Sequence, residues 1–492
     1  MVVACLGLAA CGSATSADAT PPRPPLLPTT PTPTADLALP GTTVSARDPS
    51  LGSSLLVRFD GTAFAPKDLE VDPGDAVIFR NEGPVAIWPA SNIHPTHDVY
   101  PGFDAGLPLE PGELWTFTFD RVGAWRYHNH LVPTQGGLIR VRGEVDAEPA
   151  LALPDADIVF EVIGQAEWDN ARSLFVDDVL LEEFIRRFGP AATVGLLSAN
   201  KAALGGDCHP RAHELGRISY GLFGARAFSL SGHECQSGGF HGATEALFRD
   251  HGAATLAADV ATICGGEIDA FFEHQCVHGV GHGLMAWTSY DLPDALSLCD
   301  QLTPETSRSS CFSGVFMENV VGGLSGSMGH YTKFLSSDPH YPCNILQGAH
   351  VAACYFYQTS RMVHLFGGDF SQVADACAGA PELAQRFCYQ SMGRDVGAAT
   401  RGDPERAIAS CGFVQAGATR TDCLVGAVQD WFWEASGADE ALAFCALVDK
   451  GQKGACYDTL TVRAVSIYPE HQGLLAFCAK VDPRFRGACP TS

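Results

Sequence analysis

Between residues 55 and 145, apolar and polar side chains alternate in short runs. The clearest runs are residues 55–59, 69–71, 76–79, 115–119 and 138–141, and turn residues separate them. A period of two is typical of strands that have one buried and one exposed face. Several such strands within about 90 residues predict a β-sandwich.

Beyond residue 145 the apolar positions recur every three or four residues instead. Residues 179–188, which read VLLEEFIRRF, are one example. This period is typical of amphipathic helices. The sequence therefore predicts a multidomain fold, with an all-β sandwich at residues 54–146 followed by an all-α helical-repeat solenoid at residues 155–492.

Cysteines recur at regular intervals in the helical region. Seven pairs, each separated by 11 or 12 positions, run from Cys264 to Cys489, and successive pairs begin 33–35 residues apart with one interval of 44. This period is close to that of helix-turn-helix repeats. Such short repeats cannot bury an apolar face alone, so they are expected to stack.

The spacing predicts a disulfide between consecutive helices within each repeat, and Cys208 is expected to pair with Cys235. Closing a loop of about a dozen residues stabilises a fold by about 3 kcal/mol in the chain-entropy model. The predicted disulfide cysteines are Cys208, Cys235, Cys264, Cys276, Cys299, Cys311, Cys343, Cys354, Cys377, Cys388, Cys411, Cys423, Cys445, Cys456, Cys478 and Cys489. The region resembles the disulfide-laced, tetratricopeptide-like helical repeats of secreted bacterial proteins.

Length, charge and cysteine content narrow the function classes. At 492 residues the chain is expected to form two or three domains. Its formal charge of −25 argues against a nucleic-acid partner, because surfaces that bind phosphates carry excess lysine and arginine. Eighteen cysteines are typical of an exported protein, in which they form disulfides.

The N-terminus resembles a targeting signal. The tetrapeptide Leu8-Ala9-Ala10-Cys11 ends a short apolar stretch and resembles the lipobox of bacterial lipoproteins, in which the cysteine is acylated. The resemblance implies a lipoprotein-type signal at residues 1–11 and membrane contact only through an N-terminal lipid anchor, although an ordinary secretory signal leads to the same compartment. Residues 12–53 are rich in proline and threonine and are expected to form an extended linker. We therefore expect the protein in the cell envelope, lipid-anchored or secreted.

The first region resembles the cupredoxins. Residues 64–81 contain Phe-Ala-Pro and Val-Asp-Pro-Gly-Asp, similar to the opening strands of that family, and residues 109–113 read Leu-Glu-Pro-Gly-Glu. Residues 123–130, GAWRYHNH, are similar to the strand that leads to the cupredoxin ligands. The resemblance covers most of the predicted strands and implies a cupredoxin-like sandwich.

The histidines of this region suggest a metal site without sulfur. A blue copper site requires a cysteine thiolate, but residues 12–207 contain no cysteine. Where cupredoxins carry their ligands, this chain has His94, His97, His128 and His130, and the last two resemble the His-x-His strand of multicopper oxidases. We expect His97, His128 and His130 to bind Cu(II), or alternatively Zn(II), with His94 as a spare ligand. The alternative is that these rings only hydrogen-bond to the loops.

A second group of histidines is concentrated in the first helical repeats. Six positions after the helix-opening cysteines stand His241, His282 and Met317. Equivalent positions of stacked repeats lie side by side, so these three are expected to line one face of the solenoid, the concave one. The later repeats carry non-ligands at this position, namely Ser360, Arg394, Gln429 and Val462, so the site is expected only in the first repeats.

Helical spacing adds partners to this second site. Histidines four residues apart lie on one face of a helix and commonly bind zinc, copper or iron. The predicted ligands are His209, His213, His241, His278 and His282. The candidate carboxylate ligands or general bases are Glu214, Glu245 and Glu318. The alternative is a buried polar seam in which these histidines bond to neighbouring backbone.

Two functions remain open from the sequence. The first is an exported metal-binding protein of the cell envelope, with copper as the expected cofactor and zinc or iron as alternatives, which handles the metal or is a metalloenzyme. The second is a non-catalytic helical scaffold that binds a peptide or another envelope partner. The histidine concentration at one end favours the first function, and the repeat architecture favours the second.

Overall fold

A computed structural model of the chain describes residues 55–92, 97, 99–143, 151, 158–169, 171–201, 208–265, 270–325, 332–433, 435–468, 470–487 and 489–490. Strands come first and helices follow, so the predicted order of a β-sandwich and an all-α region is confirmed. Both regions belong to one compact unit, Ser53–Ser492. The predicted lipoprotein signal and the proline-rich linker lie outside the described residues.

The sandwich consists of two four-stranded sheets. Its strands are β1 (Leu56–Phe59), β2 (Phe64–Ala65), β3 (Asp68–Val71), β4 (Asp75–Asn81), β5 (Pro89–Ser91), β6 (Leu114–Phe119), β7 (Gly123–Asn129) and β8 (Val132–Val141). One sheet has the order β2-β1-β4-β6 and the other β3-β8-β7-β5. β1 runs parallel to β4 and β3 parallel to β8, whereas the other neighbours are antiparallel.

Alternate side chains of the two sheets meet in one core. Val57 and Phe59 of β1 and Val77 and Phe79 of β4 are fully buried, and the residues between them are less so. Tyr127 of β7 packs edge-on against Phe79 from the opposite sheet. The period of two in the sequence therefore corresponds to burial on one face of each strand.

Helices account for most of the remaining described residues. Their bounds are α1 (Gln165–Asp169), α2 (Asp178–Phe188), α3 (Pro190–Ala199), α4 (His209–Phe223), α5 (Arg226–Leu230), α6 (Gly238–His251), α7 (Leu256–Ile263), α8 (Ala270–Trp287), α9 (Leu292–Cys299), α10 (Glu305–Met317), α11 (Gly323–Ser325), α12 (Ala349–Leu365), α13 (Phe370–Ala378), α14 (Glu382–Ala399), α15 (Pro404–Cys411), α16 (Ala418–Trp431), α17 (Ala438–Leu447), α18 (Lys453–Ile467) and α19 (His471–Lys480). From α7 onward, short odd-numbered helices alternate with longer even-numbered ones. None of the described helices is both long and apolar enough to cross a membrane.

Eight disulfides staple the helical region. They join the same pairs that the spacing suggests, including Cys208 with Cys235. In most repeats the bridge connects the end of a short helix to the long helix after it, as between α9 and α10. The long helices α10, α14 and α16 begin one to two turns before the cysteine, because the residues that precede it are also helical. The sequence placed that helix start at the cysteine itself.

Glycines let several neighbouring long helices approach backbone to backbone. A Cβ on Gly242 of α6 would lie 1.8 Å from the carbonyl oxygen of His213 in α4. A Cβ on Gly314 of α10 would lie 1.9 Å from the carbonyl oxygen of His278 in α8. Only glycine fits at such distances. The histidine-bearing helices α4 and α6 are therefore held close together, and α8 is held equally close to α10.

The sandwich contacts the helical region at the end of α8 and in α9. The Asn92 side-chain amide donates to the Trp287 carbonyl oxygen at 3.2 Å and also bonds to Ser289. Arg126 of β7 forms an ion pair with Asp294. These contacts attach the end of the sandwich that carries histidines to the helix that carries His278 and His282.

Candidate metal centres

Three histidines of the sandwich meet where the chain after β5 approaches the end of β7. One ring nitrogen from each of His97, His128 and His130 lies within 4.8 Å of the other two. His97 Nε2 and His130 Nδ1 are 2.9 Å apart, which is about the separation of two nitrogens at a right angle around an ion with bonds of 2.0–2.1 Å. We call these three residues the sandwich centre. The fourth predicted ligand, His94, lies outside the described residues.

A strand irregularity shapes the sandwich centre. The register of β7 against β8 shifts between His128 and Asn129, and such a bulge redirects the side chains beside it. His130 lies just past the end of β7 and approaches His97, with ring centroids 4.7 Å apart. His97 itself has a φ of 56°, in the left-handed region. Backbone conformations of this kind are concentrated at functional sites.

Polar partners orient two of these rings. The Nδ1 atom of His97 lies 2.8 Å from Asp104 Oδ2, and the Nδ1 atom of His128 lies 3.2 Å from Asn92 Oδ1. A carboxylate or amide oxygen behind a metal-binding histidine fixes the orientation of the ring and the position of its proton. The sequence did not suggest Asp104 or Asn92 for this role.

Two trios of histidines lie in the first helical repeats and share one member. The first trio is His209 and His213 of α4 with His241 of α6, and the second trio is His241 with His278 and His282 of α8. In each trio the ligand atoms lie within 4.8 Å of one another. We call the five residues together the helical centre. All five predicted ligands of the second site are thus brought together.

Nitrogen separations within the trios match those around a single ion. His213 Nε2 lies 3.2 Å from His209 Nε2 and 3.3 Å from His241 Nδ1. His278 Nε2 and His282 Nε2 are 3.1 Å apart. Two nitrogens bound to one ion with bonds of 2.0–2.1 Å are about 3–3.4 Å apart at angles between square-planar and tetrahedral.

The four outer histidines each direct Nδ1 at a protein acceptor. The pairs are His209 with the Cys235 carbonyl oxygen at 2.9 Å, His213 with Glu245 at 2.8 Å, His278 with the Ser313 hydroxyl at 2.7 Å and His282 with Glu318 at 2.6 Å. The Ser313 hydroxyl gives its own proton to the Ser310 carbonyl oxygen, so it accepts from the ring. In each pair the ring N–H is therefore at Nδ1.

This arrangement leaves lone pairs that face each other. A neutral imidazole has one N–H and one lone pair, so the Nε2 atoms of His278 and His282 present lone pairs to each other at 3.1 Å. A cation between facing lone pairs would remove their mutual repulsion. A shared proton joins only two nitrogens, whereas a metal ion binds all three nitrogens of a trio. The donor set therefore fits a metal ion.

Burial favours the neutral form of these imidazoles. Burial first, and neighbouring histidines second, lower the pKa of His209 to about 3 and the pKa values of His241 and His278 well below the usual range. Burial and then His97 also lower the pKa of His130. Metal ligation requires a deprotonated ring nitrogen, so these groups are ready to bind at neutral pH.

The three candidate carboxylates have different partners. Glu245 lies four residues after His241 in α6, but it bonds to His213 in the neighbouring helix and to Arg217. Its burial would raise its pKa, but His213 and Arg217 outweigh that effect and lower the pKa to about 2. Glu318 begins a π-helical turn, Glu318–Gly322, and bonds to His282. Glu214 bonds to Arg217.

Sequence reasoning missed Ser313, although a signal for it exists. His278 and Ser313 each stand two positions after the second cysteine of their repeats, Cys276 and Cys311. Equivalent positions in stacked repeats are neighbours, and the two side chains are in contact. This contact was therefore predictable from the same repeat register that aligns His241 with His282.

A large cavity lies beside the helical centre. Its volume is about 740 Å³, and its wall includes His278 and Met317. Ser360, Arg394 and Gln429, which occupy the position equivalent to His241 in later repeats, also line it. Val462, at the same position in α18, is 65% exposed, and its neighbour Arg463 lines the cavity instead.

Comparison with known proteins adds little to this geometry. No protein-family model matches the chain, and no curated protein matches it. A solved structure that is similar to part of the chain is titled "Novel Purple Cupredoxin from Nitrosopumilus maritimus". It is 21% identical, covers 18% of this chain and 98% of its own, and has a TM-score of 0.16. The chain therefore has a weak cupredoxin-like structural neighbour, in addition to its two-sheet N-terminal region and its disulfide-rich helical region.

Proposed function

We propose that the protein is an exported, envelope-associated metalloprotein that binds copper at the sandwich centre and transition-metal ions at the helical centre. One observation carries the proposal: buried and half-buried imidazole nitrogens converge on one another in three groups, with the ligand atoms of each group within 4.8 Å. Eight disulfides support export, since such bridges persist in oxidising compartments. The N-terminal lipid anchor belongs to this proposal.

Copper is the metal proposed for the sandwich centre. Its ligands are imidazoles alone, which suit copper and zinc, and copper(II) binds such sites more strongly than other divalent ions of its row. Zinc and iron are the alternatives for the helical centre. A bound ion would supply Lewis acidity or, in the case of copper or iron, electron transfer.

The residues of the chain would prepare both centres for that ion. Asp104, Glu245 and Glu318 hold the ring protons of three histidines on the side away from the convergence point. The aromatic and arginine side chains of the adjacent cavity, among them Tyr357 and Arg394, would contact a molecule brought to the helical centre. The ion of the helical centre is thus proposed to act, or to be exchanged, at the wall of this cavity.

Metal content of the exported full chain tests the proposal. The protein, prepared without an affinity tag that binds metal, is loaded with Cu(II), desalted and measured by elemental analysis. We expect retained copper in both regions, with His97→Ala removing the ion of the sandwich centre and His282→Ala removing metal from the helical centre. Tyr127→Phe in β7 and His274→Ala in α8 are matched controls that should keep the full content.

His274 is a suitable control because it is a half-buried histidine one turn before His278 and bonds to Ser310. It belongs to neither trio. If Cu, Zn and Fe are all lost on desalting from the folded wild-type chain, the metal function is wrong. The helical scaffold that binds a peptide or envelope partner would then be the better description.

A further inference from the structure

We infer that the helical centre is a single dinuclear metal site in which the ring of His241 bridges two ions. The inference rests on the proposed function, because it concerns the same five histidines. It adds the number of ions, their arrangement and the role of one residue. The proposed site binds two divalent first-row transition-metal ions.

His241 is placed between the two trios. Its ring centroid lies 5.1 Å from those of both His209 and His213 on one side. On the other side it lies 5.6 Å from that of His278 and 4.0 Å from that of His282. No other described residue belongs to both groups of potential ligands.

The two nitrogens of His241 serve different neighbours. Nδ1 lies 3.3 Å from His213 Nε2 and so belongs to the first trio. Nε2 is buried and has no hydrogen-bond partner among the described residues. The whole residue is 0% exposed. A buried polar nitrogen without a partner costs free energy, and a second ion bound by His278 and His282 would remove that cost.

The surroundings provide charge for two ions. Glu245 lies behind the first trio and Glu318 behind the second, each bonded to one histidine of its trio. Two divalent ions with Arg217, which bonds to Glu245 and Glu214, carry five positive charges, and the three carboxylates with one imidazolate carry four negative charges. Burial of metal charge is tolerated when it is nearly balanced and its partners are hydrogen-bonded.

Binding of the two ions to the helical centre releases one proton. The first ion binds lone pairs and displaces no ring proton from the outer histidines, whose N–H groups stay on their acceptors. The second ion forms a bond to the remaining nitrogen of His241, and the N–H bond there breaks. The proton leaves to solvent, so one proton is released per chain and no electron is transferred.

The dinuclear site is tested in the His97→Ala chain, which removes the copper of the sandwich centre. After loading with Cu(II), we expect two retained ions per chain and an electron paramagnetic resonance intensity far below the copper content, because an imidazolate couples two Cu(II) spins antiferromagnetically. Addition of His209→Ala or His282→Ala should each remove one ion and restore the signal of the other.

His241→Ala is expected to differ from every other variant, because it removes a ligand from both ions and should weaken both. His274→Ala should change neither count nor signal. One retained ion, or two whose signal equals the copper content, would overturn the bridge while leaving the metal function intact. No retained ion would instead overturn the metal function itself. The signal of the His97→Ala chain, with all five histidines of the helical centre intact, decides the matter even if His241→Ala fails to fold.

Discussion

At the scale of single residues, the helical centre depends on hydrogen bonds behind its ligands. His213 and His282 differ from the other three histidines of the helical centre because their outer nitrogens contact carboxylates, Glu245 and Glu318. A carboxylate in this position fixes the ring and makes it a stronger donor to metal. Glu214, one residue after His213, bonds to Arg217 instead. Neighbours in sequence thus have different roles.

Replacing these carboxylates tests the difference. Glu245→Gln and Glu318→Gln should each lower metal affinity at the helical centre by about 10- to 100-fold, the usual effect of losing such a partner. Glu214→Gln is the matched control and should leave affinity unchanged. Competition with a chelator of known affinity measures all three. Equal losses from all three variants would mean that the effect is only electrostatic.

At the scale of elements, the fold depends on how closely pairs of helices approach. Gly393 of α14 faces the Cys423 carbonyl oxygen of α16, and a Cβ there would lie 1.9 Å from that atom. The same kind of contact joins α4 to α6 and α8 to α10 at Gly242 and Gly314. Close packing of these pairs brings side chains of different helices within hydrogen-bond reach.

A glycine pair distinguishes packing from helix propensity. Gly393→Ala should lower the free energy of unfolding by about 1–3 kcal/mol, because the added methyl group forces the helices apart. Gly221→Ala in α4 is the control, since no atom from outside its own stretch of helix lies within 4 Å of its Cβ position. It should be neutral or raise stability by up to about 1 kcal/mol, since alanine favours helix. Thermal denaturation followed by circular dichroism measures both, and a stable Gly393→Ala variant would refute the packing role.

At the scale of the whole molecule, disulfides join consecutive helices along the helical region. A single repeat buries little apolar surface by itself. The bridges add stability by restricting the unfolded chain. The bridge between Cys208 and Cys235 also lies beside the helical centre, since the Cys235 carbonyl oxygen accepts a hydrogen bond from His209. The bridge between Cys411 and Cys423 is in a later repeat.

Two double variants separate stability from metal binding. Removing either bridge, as Cys208→Ser with Cys235→Ser or as Cys411→Ser with Cys423→Ser, should lower the free energy of unfolding by about 2–4 kcal/mol. Only the first double variant should also lose metal from the helical centre. Denaturation and elemental analysis on the same samples give both values. Metal loss from the second variant alone would contradict the assignment of the centre to the first repeats.

Local rules made much of this protein predictable from its sequence. Alternation of apolar residues gave the strands because strand side chains point to opposite faces, and recurrence every three or four residues gave the helices. The spacing of cysteines such as Cys264 and Cys276 predicted the disulfide pairs, since such a pair spans only the short connection from the end of one helix into the first turns of the next. His209 with His213, and His278 with His282, were placed on common helix faces for the same reason.

What the sequence alone determined is thus everything that depends on residues close together in the chain: the order of a sandwich and a helical region, the stapled repeats and the paired histidines. Only the tertiary structure decided that His241 lies between two trios, that Glu245 bonds to His213 rather than to its own helix neighbour, and that Asp104 lies behind His97. These contacts depend on how near one helix or loop comes to another. That distance is set by glycine contacts and a β-bulge, which no local pattern of apolar and polar residues specifies.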